Sequence, residues 1–522
     1  MNKALAVLVV SLMLFARTKD DYSGNRPFQI IVQDTNNVQI CISNYGKFGQ
    51  TAACNADCWW PKGSGYSYIF GAGLWFSTVD SITGDTLVTI GYGPHGAETE
   101  FAPGLSGMAP GNPKAIIYLS SANWPPPAGV FPMAPQEILS HEDSWCCFND
   151  SDSVYHIPND TRPIGIEVYQ TVYEWTYPIL EDMVFFKYEI KNVTDHTLYD
   201  CYLGIVFDCD IGNEAAPNQN DICNAIIGKW YVINCESIWV DNLAYQWQQE
   251  FEPGWAEFPG VVGVDLLQTP FDLQEGQDKD NDGILDQYER DSAYYVNNLP
   301  FQMWDVDNDG LPDWRDASEN PQLEMTAYKR FTLNLEPNKD NERYLTLAGY
   351  NFRTGQYEPY DTITPPPDDQ RFLLSTGPFN LLPDSVITIV FALILAQWHD
   401  IYQTPDTALV LVDKWAQWHY DLNWSIGIYE NARGSVLSDR ISIKPNPVSN
   451  SATITFTLRS ESPVSVKIYN SLGQLVRVVL NQIKPKGIHS VNCGTSGLPA
   501  GSYFVLFDDG CRRKVIKIMV IK

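Results

Sequence analysis

Apolar and polar residues alternate with a period of two along much of the chain, which is the pattern of strands that bury one face. The segment "MVFFKYEIKN", residues 183–192, places Phe186, Tyr188 and Ile190 on one face and charged residues on the other. It turns at "VTDHT" and continues as "LYDCYLGIVF", which predicts a hairpin of a β-sandwich. A second hairpin is predicted in "AGLWFSTVDSITGDTLVTIG", with its turn near Gly84. The main part of the chain is therefore expected to be mostly strand.

Two segments depart from this alternation. The run "VITIVFALILA", residues 386–396, is apolar and rich in β-branched residues, which predicts a buried strand. It is too short to cross about 30 Å of hydrocarbon as a helix. One helix is predicted, with Thr404 as N-cap and Pro405 in the first turn. Its apolar face, which we expect to pack on a sheet, consists of Ala408, Val412, Trp415, His419 and Leu422.

Residues 435–522 form a separate segment by both pattern and charge. Short alternating strands are divided by turn residues, which predicts a small immunoglobulin-like β-sandwich. The segment has 12 Lys and Arg against 4 Asp and Glu, whereas the whole chain has a net charge of −29. A domain boundary is therefore expected near residue 434. The predicted core positions are Ile454, Phe456, Leu458, Val464, Val466, Ile468, Tyr503, Val505 and Phe507.

Composition and charge narrow the classes of partner. A chain of 522 residues with 44% hydrophobic residues, 36 glycines and 34 prolines is typical of a turn-rich globular protein with several domains. The acidic body before residue 435 repels nucleic acid phosphates and anionic lipid, so we expect neither as a partner. The same charge suits divalent cations.

The first residues, "MNKALAVLVVSLMLFA", predict a secretory signal peptide at residues 1–16. Its apolar run is too short for a membrane anchor, so no transmembrane span is expected. Export agrees with the 11 cysteines, because an oxidising compartment permits disulfides. Cys201, Cys209, Cys223 and Cys235 lie close together in the sequence, but their pairing is not determined by spacing.

Two short acidic segments carry the ligand spacing of a calcium loop. Such a loop supplies oxygen ligands from positions 1, 3, 5, 7, 9 and 12 and has glycine at position 6. "DKDNDGILDQYE" fits with Gly283 as its sixth residue, and "DVDNDGLPDWRD" fits with Gly310 there. The predicted metal ligands are Asp278, Asp280, Asp282, Ile284, Asp286 and Glu289, then Asp305, Asp307, Asp309, Leu311, Asp313 and Asp316. The alternative is a solvated acidic loop without metal.

The residues that flank these loops indicate a structural metal. Pro270, Pro300 and Pro312 leave no place for the helix pair that a sensor EF-hand opens. The loops resemble thrombospondin type 3 repeats, which implies a calcium-binding insertion at residues 272–320. Crowded carboxylates repel one another when no metal is bound, so calcium is expected to fold this segment as it binds.

The end of the chain resembles a known export signal. The series "KPNPVSNSATITFTL", "VSVKIYNSLGQLVRVV", "GLPAGSYFVLF" and "RRKVIKIMVIK" is similar to the type A C-terminal sorting domain of the bacterial type IX secretion system. This resemblance implies an address that is read at the outer membrane and carries no catalysis. Cys493 departs from the family, in which a bulky aromatic is common, and Cys493 and Cys511 could pair. The alternative is a plain sandwich module for protein contacts.

Other candidate chemistry in the body is weaker. "FDCDIGNE" offers Asp208, Asp210 and Glu214, with Asp221 downstream, either as a third metal or functional carboxylate cluster or as an acidic loop between strands. "HEDSW" begins like a metalloprotease motif but has Trp145 where the second histidine is required. The sequence contains no phosphate loop and no G-x-S-x-G elbow.

One strand carries a candidate binding face. In "IEVYQTVYEW", Tyr169, Tyr173 and Trp175 share a face with Glu167. An aromatic row beside a carboxylate can stack on sugar rings, and the alternative is a strand that the core covers on both faces.

These observations predict a mainly β fold in which a β-sandwich body carries a calcium-loop insertion and precedes a C-terminal immunoglobulin-like β-sandwich. The expected regions are the signal peptide at 1–16, an N-terminal β-rich region at 17–160, a β-sandwich region at 161–434 with the insertion at 272–320, and the sorting domain at 435–522.

The predicted function is that of a secreted or cell-surface protein of a Gram-negative bacterium, stabilised by calcium and exported by the type IX secretion machinery. A non-enzymatic role in adhesion, matrix or surface structure is favoured, because the sequence shows an address and a scaffold but no catalytic motif. The expected partners are the secretion machinery and surface glycans or other surface proteins. The alternative is a secreted hydrolase acting on polysaccharide or protein, which the resemblance implies for much cargo of this route.

Overall fold

The fold is that of a computed structural model, which describes the chain with several gaps. The described residues are 27–53, 55–93, 99–158, 160–212, 219–233, 236–272, 297–298, 322–332, 335–398, 404–421, 424, 441–458, 462–470, 475–495, 497–509 and 513–521. The chain divides into two compact units, the body (Met1–Tyr231 with Ile238–Leu422) and the tail (Val232–Ser237 with Asn423–Lys522). The predicted signal peptide lies outside the described residues.

The body consists mainly of strands, as the period-two pattern predicts. In chain order they are β1 Ile30–Gln33, β2 Gln39–Ser43, β3 Lys47–Phe48, β4 Cys58–Trp59, β5 Gly71–Val79, β6 Thr86–Ile90, β7 Ala102–Pro103, β8 Tyr118–Leu119, β9 Glu142–Asn149, β10 Ile166–Glu174, β11 Met183–Asn192, β12 Leu198–Asp208, β13 Asp221–Ile233, β14 Glu236–Gln248, β15 Val261–Gln268, β16 Ala327–Thr332, β17 Tyr350–Asn351, β18 Gln356–Tyr357, β19 Gln370–Leu381 and β20 Val386–Ala396.

Most of these strands belong to two antiparallel sheets. Sheet I has the order β1-β2-β3-β5-β12-β19-β16, with β4 beside β2 and β6 beside β5. Sheet II has the order β13-β14-β15-β20-β11-β10-β9-β7, with β8 beside β9. The predicted hairpin at Gly84 is confirmed as β5–β6, and the predicted buried strand is confirmed as β20. Both sheets take strands from either side of residue 160.

The inner faces of the two sheets share one hydrophobic core. Phe48 and Phe207 of sheet I lie against Phe186 and Phe391 of sheet II. The rings of Phe186 and Phe391 are stacked with centroids 4.8 Å apart. All four side chains are buried, and burial of each contributes about 1.5–3 kcal/mol to the free energy of unfolding. This packing confirms the predicted β-sandwich.

The connection between β11 and β12 corrects one sequence prediction. The alternation in β11 is as predicted, because Phe186, Tyr188 and Ile190 are buried while the intervening charged residues are half-buried. The two strands do not pair, since β11 lies between β10 and β20 in sheet II and β12 lies between β5 and β19 in sheet I. Residues 193–197 therefore cross from one sheet to the other, and the predicted hairpin is wrong.

Two helices are described in the body, α1 at Asp340–Leu347 against sheet I and α2 at Pro405–Asp421 against sheet II. α2 confirms the predicted helix and its packing on a sheet. Its buried face runs through Leu409 and Asp413, whereas the predicted Val412 is only half-buried. Among the described helices, none has the length and apolar character needed to cross a membrane.

The tail is a β-sandwich with its own core. Its strands are β21 Ser442–Lys444, β22 Ser451–Leu458, β23 Ser462–Asn470, β24 Leu475–Lys484, β25 Gly487–Gly494, β26 Gly501–Asp508 and β27 Arg513–Val520. One sheet has the order β21-β22-β25 and the other β24-β23-β26-β27. All the predicted core positions are buried, which confirms the immunoglobulin-like sandwich.

The described cysteines are free thiols. They are Cys41, Cys58, Cys146, Cys147, Cys201, Cys209, Cys223 and Cys493, and all eight are buried. Cys201, Cys209 and Cys223 therefore form none of the disulfides considered from the sequence, and Cys493 is a free thiol. Cys235 and Cys511 lie outside the residues whose side chains the structure describes. Burial raises the pKa of the Cys201 and Cys223 thiols to about 12.

Candidate functional site

An acidic network lies where β12 ends and β19 begins. Asp208, the last residue of β12, pairs in register with Arg371 of β19. Asp210 follows β12 closely and Asp369 directly precedes β19, so the antiparallel pairing brings the three carboxyls together. One oxygen from each lies within 4.8 Å of the others. The sequence indicated Asp208 and Asp210, the fold supplies Asp369, and Glu214 lies outside the described residues.

Arg371 supplies the positive charge of this network. Its Nε lies 2.8 Å from Asp208 Oδ2, and its Nη1 lies 3.0 Å from Glu336 Oε1 and 3.2 Å from Asp369 Oδ1. The Asp208 side chain is fully buried and that of Arg371 nearly so. A buried ion pair of this kind leaves an uncompensated charge when one partner is removed. Arg371 therefore balances part of the negative charge of these carboxylates.

Tyr92 encloses the network from the side of β5. Its hydroxyl donates a hydrogen bond to Asp208 Oδ2 at 2.5 Å. The phenol reaches this position by crossing Gly71, where a Cβ atom would lie 2.3 Å from Cε2 of the tyrosine ring. Glycine is required there by the close approach. The cavity beside Tyr92 and Arg371 measures about 10 Å³, which is room for at most about one water molecule.

The network contains more carboxyls than cations, and protonation of some carboxyls reduces its net negative charge. Burial, followed by repulsion from Asp208, raises the pKa of Asp210 to about 8. Burial raises the pKa of Glu336 to about 7, although Arg371 opposes the shift. The pKa of the buried Asp221 lies well above its usual range because of burial and the neighbouring Asp210. Burial therefore favours the neutral forms of Asp210 and Asp221.

The three clustered carboxyls fit a metal ion poorly. Carboxylate oxygens suit Ca²⁺ or Mg²⁺, but these ions take about six or more ligands. Arg371 already binds Asp208 and Asp369. A cation would have to displace the guanidinium. The network is best described as a structural element that joins the ends of β12 and β19.

The aromatic row considered for sugar stacking is buried. Tyr169, Tyr173 and Trp175 are buried, as is β10 along its whole length. The hydroxyl of Tyr169 donates a hydrogen bond to the Glu167 carboxylate on the same face. β10 is therefore a strand covered on both faces, and its aromatic face is inaccessible to a sugar.

The predicted calcium ligands, at residues 278–289 and 305–316, lie outside the described residues. The two ends of the insertion are adjacent in the body. Phe271 forms a β-bridge with Gln322, and the backbone amide of Leu323 donates a hydrogen bond to the Pro270 carbonyl at 2.9 Å. This closure lets the insertion leave and re-enter the sandwich at one place.

One cavity was not indicated by any predicted motif. It measures about 280 Å³ and is lined by residues of β14, β15 and α2 and of the segment that follows the insertion. Two buried carboxyls, Asp265 of β15 and Asp413 of α2, lie in its wall. Asp265 is the single acidic residue in the apolar run "VVGVDLL", and Asp413 is the single acidic residue in "ALVLVDKW". A lone acidic residue in an apolar run is the sequence signal that could have indicated this pair.

The comparisons with known proteins concern mainly the tail. Residues 442–522 match the family model of the secretion system C-terminal sorting domain. The chain is therefore type IX secretion cargo that is exported to the cell surface or secreted. A comparison of the chain with curated proteins gave no match.

Among solved structures, a polysaccharide lyase aligns with 96% of this chain and 47% of that chain, at 9% identity and a TM-score of 0.23. The chain thus spans about half the length of that structure.

Proposed function

We propose that this protein is a calcium-stabilised β-sandwich protein with a non-enzymatic role at the cell surface or after release from it. Adhesion, matrix formation and surface structure are the roles that fit this description. The sorting domain at 442–522 accounts for export, and the body carries the role.

The observation that carries the non-enzymatic role is the closure of the acidic network around Arg371. A carboxyl that acts as general acid or base must come within hydrogen-bonding reach of its substrate. Asp208 is fully buried and is held by Arg371 and Tyr92, and the adjoining cavity has no room for a substrate. This group of carboxyls therefore stabilises the body.

Calcium is supported by the sequence spacing in two copies. The insertion that carries the copies begins and ends at the Phe271–Gln322 bridge, so its folding adds a module to the sandwich without interrupting a sheet. Calcium bound there would stabilise the insertion and protect it from proteolysis.

The test uses the exported protein purified from the native host. We expect it to bind host-cell envelopes or surface polysaccharide without releasing products from a panel of glycans and peptides. Cell fractionation in parallel reports surface exposure. Steady product release that one carboxylate substitution abolishes would contradict the non-enzymatic role.

A secreted hydrolase is the second candidate, and one observation favours it. Asp265 and Asp413 form a buried carboxyl pair in the wall of a cavity. Carboxyls that share one proton activate water in aspartic proteases. Peptide hydrolysis by the unmodified protein, lost in Asp413→Asn, would support this candidate.

A further inference from the structure

The body contains a cavity of about 280 Å³ beside the base of the insertion. Its lining includes Trp239, Asp241, Asp265, Glu324, Asp413 and Gln417. All of these residues belong to the same compact unit. Sites for small molecules measure about 300–1,000 Å³, so this volume suits a single small ring better than a longer ligand.

Two carboxyls in the wall of this cavity are oriented toward each other. Asp265 and Asp413 are each 4% exposed, and their carboxyls lie within hydrogen-bonding reach of each other. Burial raises the pKa of Asp413 to about 7. Burial and the neighbouring charge of Asp413 raise the pKa of Asp265 well above its usual range. The nearby Asp241 raises both pKa values further. Burial and mutual repulsion therefore favour a proton shared between the two carboxyls.

Asp413 also has a carboxyl oxygen, Oδ1, that is buried and accepts no hydrogen bond from an N–H or O–H donor within the described part of the chain. A buried polar atom in this state is destabilising, and a hydrogen bond from a ligand would offset that cost. A carboxyl pair with a shared proton offers both a donor and acceptors, and this combination matches hydroxyl groups.

Trp239 supplies an apolar surface at the same cavity. Its side chain is 49% exposed, and its Nε1–H donates a hydrogen bond to Asp241 Oδ2 at 3.4 Å. The Trp230 ring packs against it with centroids 5.4 Å apart. These two contacts orient an indole that remains open to a ligand. A sugar ring has a C–H face for the indole and hydroxyl edges for the carboxyls.

The charge of the cavity excludes anionic ligands. Asp241, Glu324 and the acid pair outnumber the lining cation Lys414, so a uronate or a sulfated sugar would be repelled. The geometry of the pair also disfavours glycoside cleavage. Glycosidases hold their two carboxyls about 5 Å or more apart, whereas Asp265 and Asp413 are in hydrogen-bonding contact.

We propose that this cavity binds one neutral sugar ring of a polysaccharide, with Trp239 against the ring face and the Asp265–Asp413 pair on its hydroxyls. The inference rests on the proposed function in one respect, since only an exported protein meets such chains outside the cell. The ring is bound and not cleaved.

The test uses the mature full chain and isothermal titration calorimetry. The neutral probes are hexose and N-acetylhexosamine oligosaccharides, the anionic probe is an oligogalacturonate and the cationic probe is spermine. We expect binding of a neutral probe and of neither charged probe. Trp239→Ala and Asp413→Asn should weaken this binding by about tenfold or more, while Trp239→Phe retains most of it. Tyr357→Ala removes an exposed aromatic that does not line the cavity and should change nothing.

Circular dichroism and thermal melting establish that each variant is folded before its affinity is compared. Failure of every neutral probe to bind overturns the inference, as does binding that is unchanged in both Trp239→Ala and Asp413→Asn. Preferential binding of spermine would show that the cavity binds cations. Shortened oligosaccharide products would show that the protein cleaves the sugar chain. Either result also overturns the inference. Cell fractionation reports export separately, so a failed sugar test leaves the proposed surface role standing.

Discussion

The imidazole of His419 packs edge-on against the indole of Trp175, with ring centroids 4.3 Å apart and ring planes at 89°. His419 lies on α2, and Trp175 directly follows β10. The Phe185 ring of β11 also contacts the imidazole, at 5.6 Å. The histidine therefore serves as part of the apolar layer that attaches α2 to sheet II. Its burial lowers its pKa to about 3.

This lowered pKa predicts an acid-sensitive contribution to stability. The unfolded chain protonates His419 below the ordinary histidine pKa of 6.5, whereas the folded protein resists protonation down to about 3. The stabilising contribution is therefore present above pH 6.5 and is lost as pH falls toward 3, at up to about 1.4 kcal/mol per pH unit. In urea unfolding, the free energy of unfolding should fall less steeply with decreasing pH in His419→Phe than in the unmodified protein. His196→Phe, which replaces an exposed histidine, should show the same pH dependence as the unmodified protein. Parallel pH profiles for His419→Phe and the unmodified protein would contradict the prediction.

Arg371 should be among the most sensitive positions in the body. Arg371→Met leaves the buried carboxylates of Asp208, Glu336 and Asp369 without their cation. We expect the free energy of unfolding to fall by about 3–5 kcal/mol, measured by denaturant unfolding. Lys191→Met, in which an ion pair with the exposed Asp384 is lost, should cost about 1 kcal/mol or less. Equal losses in the two variants would exclude a special role for the network.

Asp210 should make the stability of the body depend on pH in the direction opposite to that predicted for His419. Its folded pKa of about 8 exceeds the ordinary aspartate value of 3.8, so the folded protein keeps a proton that the unfolded chain has released between these values. Stability contributed by this group therefore falls as pH rises from about 4 to about 8. Asp210→Asn should remove that loss and stabilise the body at pH 8 relative to the unmodified protein. Thermal melting at pH 5 and pH 8 measures it, and a variant that is destabilised equally at both values would refute the assignment.

Calcium removal should destabilise the insertion selectively. Chelation is expected to lower Tm and to expose residues 272–320 to protease, because the carboxylates of the loops repel one another without metal. At tenfold excess over Kd, each site contributes about 1.4 kcal/mol. Asp280→Ala with Asp307→Ala should reproduce the effect in the presence of calcium, whereas the exposed Asp195→Ala should not. Unchanged melting and proteolysis after chelation would show that the loops bind no structural calcium.

The tail should be separable from the body. Its core positions lie within residues 441–520, so ending the chain at Gly434 should leave a folded body that remains in the periplasm. Residues 435–522 fused to an inert exported protein should carry that protein to the surface of a type IX-competent host. Fractionation and protease accessibility of both proteins measure this. Normal release of the truncated body together with periplasmic retention of the fusion would contradict a sorting role.

The buried thiols should be unreactive in the native state. The eight described cysteines are buried, and burial raises the pKa of each, so thiolate is scarce at neutral pH. A disulfide reagent should modify these thiols only after unfolding in denaturant, as peptide mass mapping can establish. Rapid labelling of Cys146 or Cys223 in the folded protein would show that the sandwich opens locally.

The sequence alone was sufficient for most strands. The alternation in β11, the continuous apolar run of β20 and the core positions of the tail are local patterns, because the side chains of a strand alternate between its two faces. The same locality explains the prediction of α2 from a cap and a proline. These features depend on residues that are near one another in the chain.

The tertiary structure decided which strands became neighbours. β11 and β12 are consecutive and both apolar, but each finds its partners in a different sheet, so the predicted hairpin became a crossing connection. Whether two strands pair or face each other across a core depends on all the other strands that compete for the same edges. That competition is absent from the local pattern.

The same division holds for the charged groups. The sequence indicated Asp208 and Asp210 as a cluster, yet Arg371 and Glu336, which make the cluster a closed structural network, come from distant segments. Asp265 and its partner on α2 likewise meet only because the helix packs on β15. The spacing of residues in the sequence can predict ligands that lie on one loop. A pair of charged groups from two separate elements forms only when folding packs those elements together. Burial then removes the water that screened the two charges.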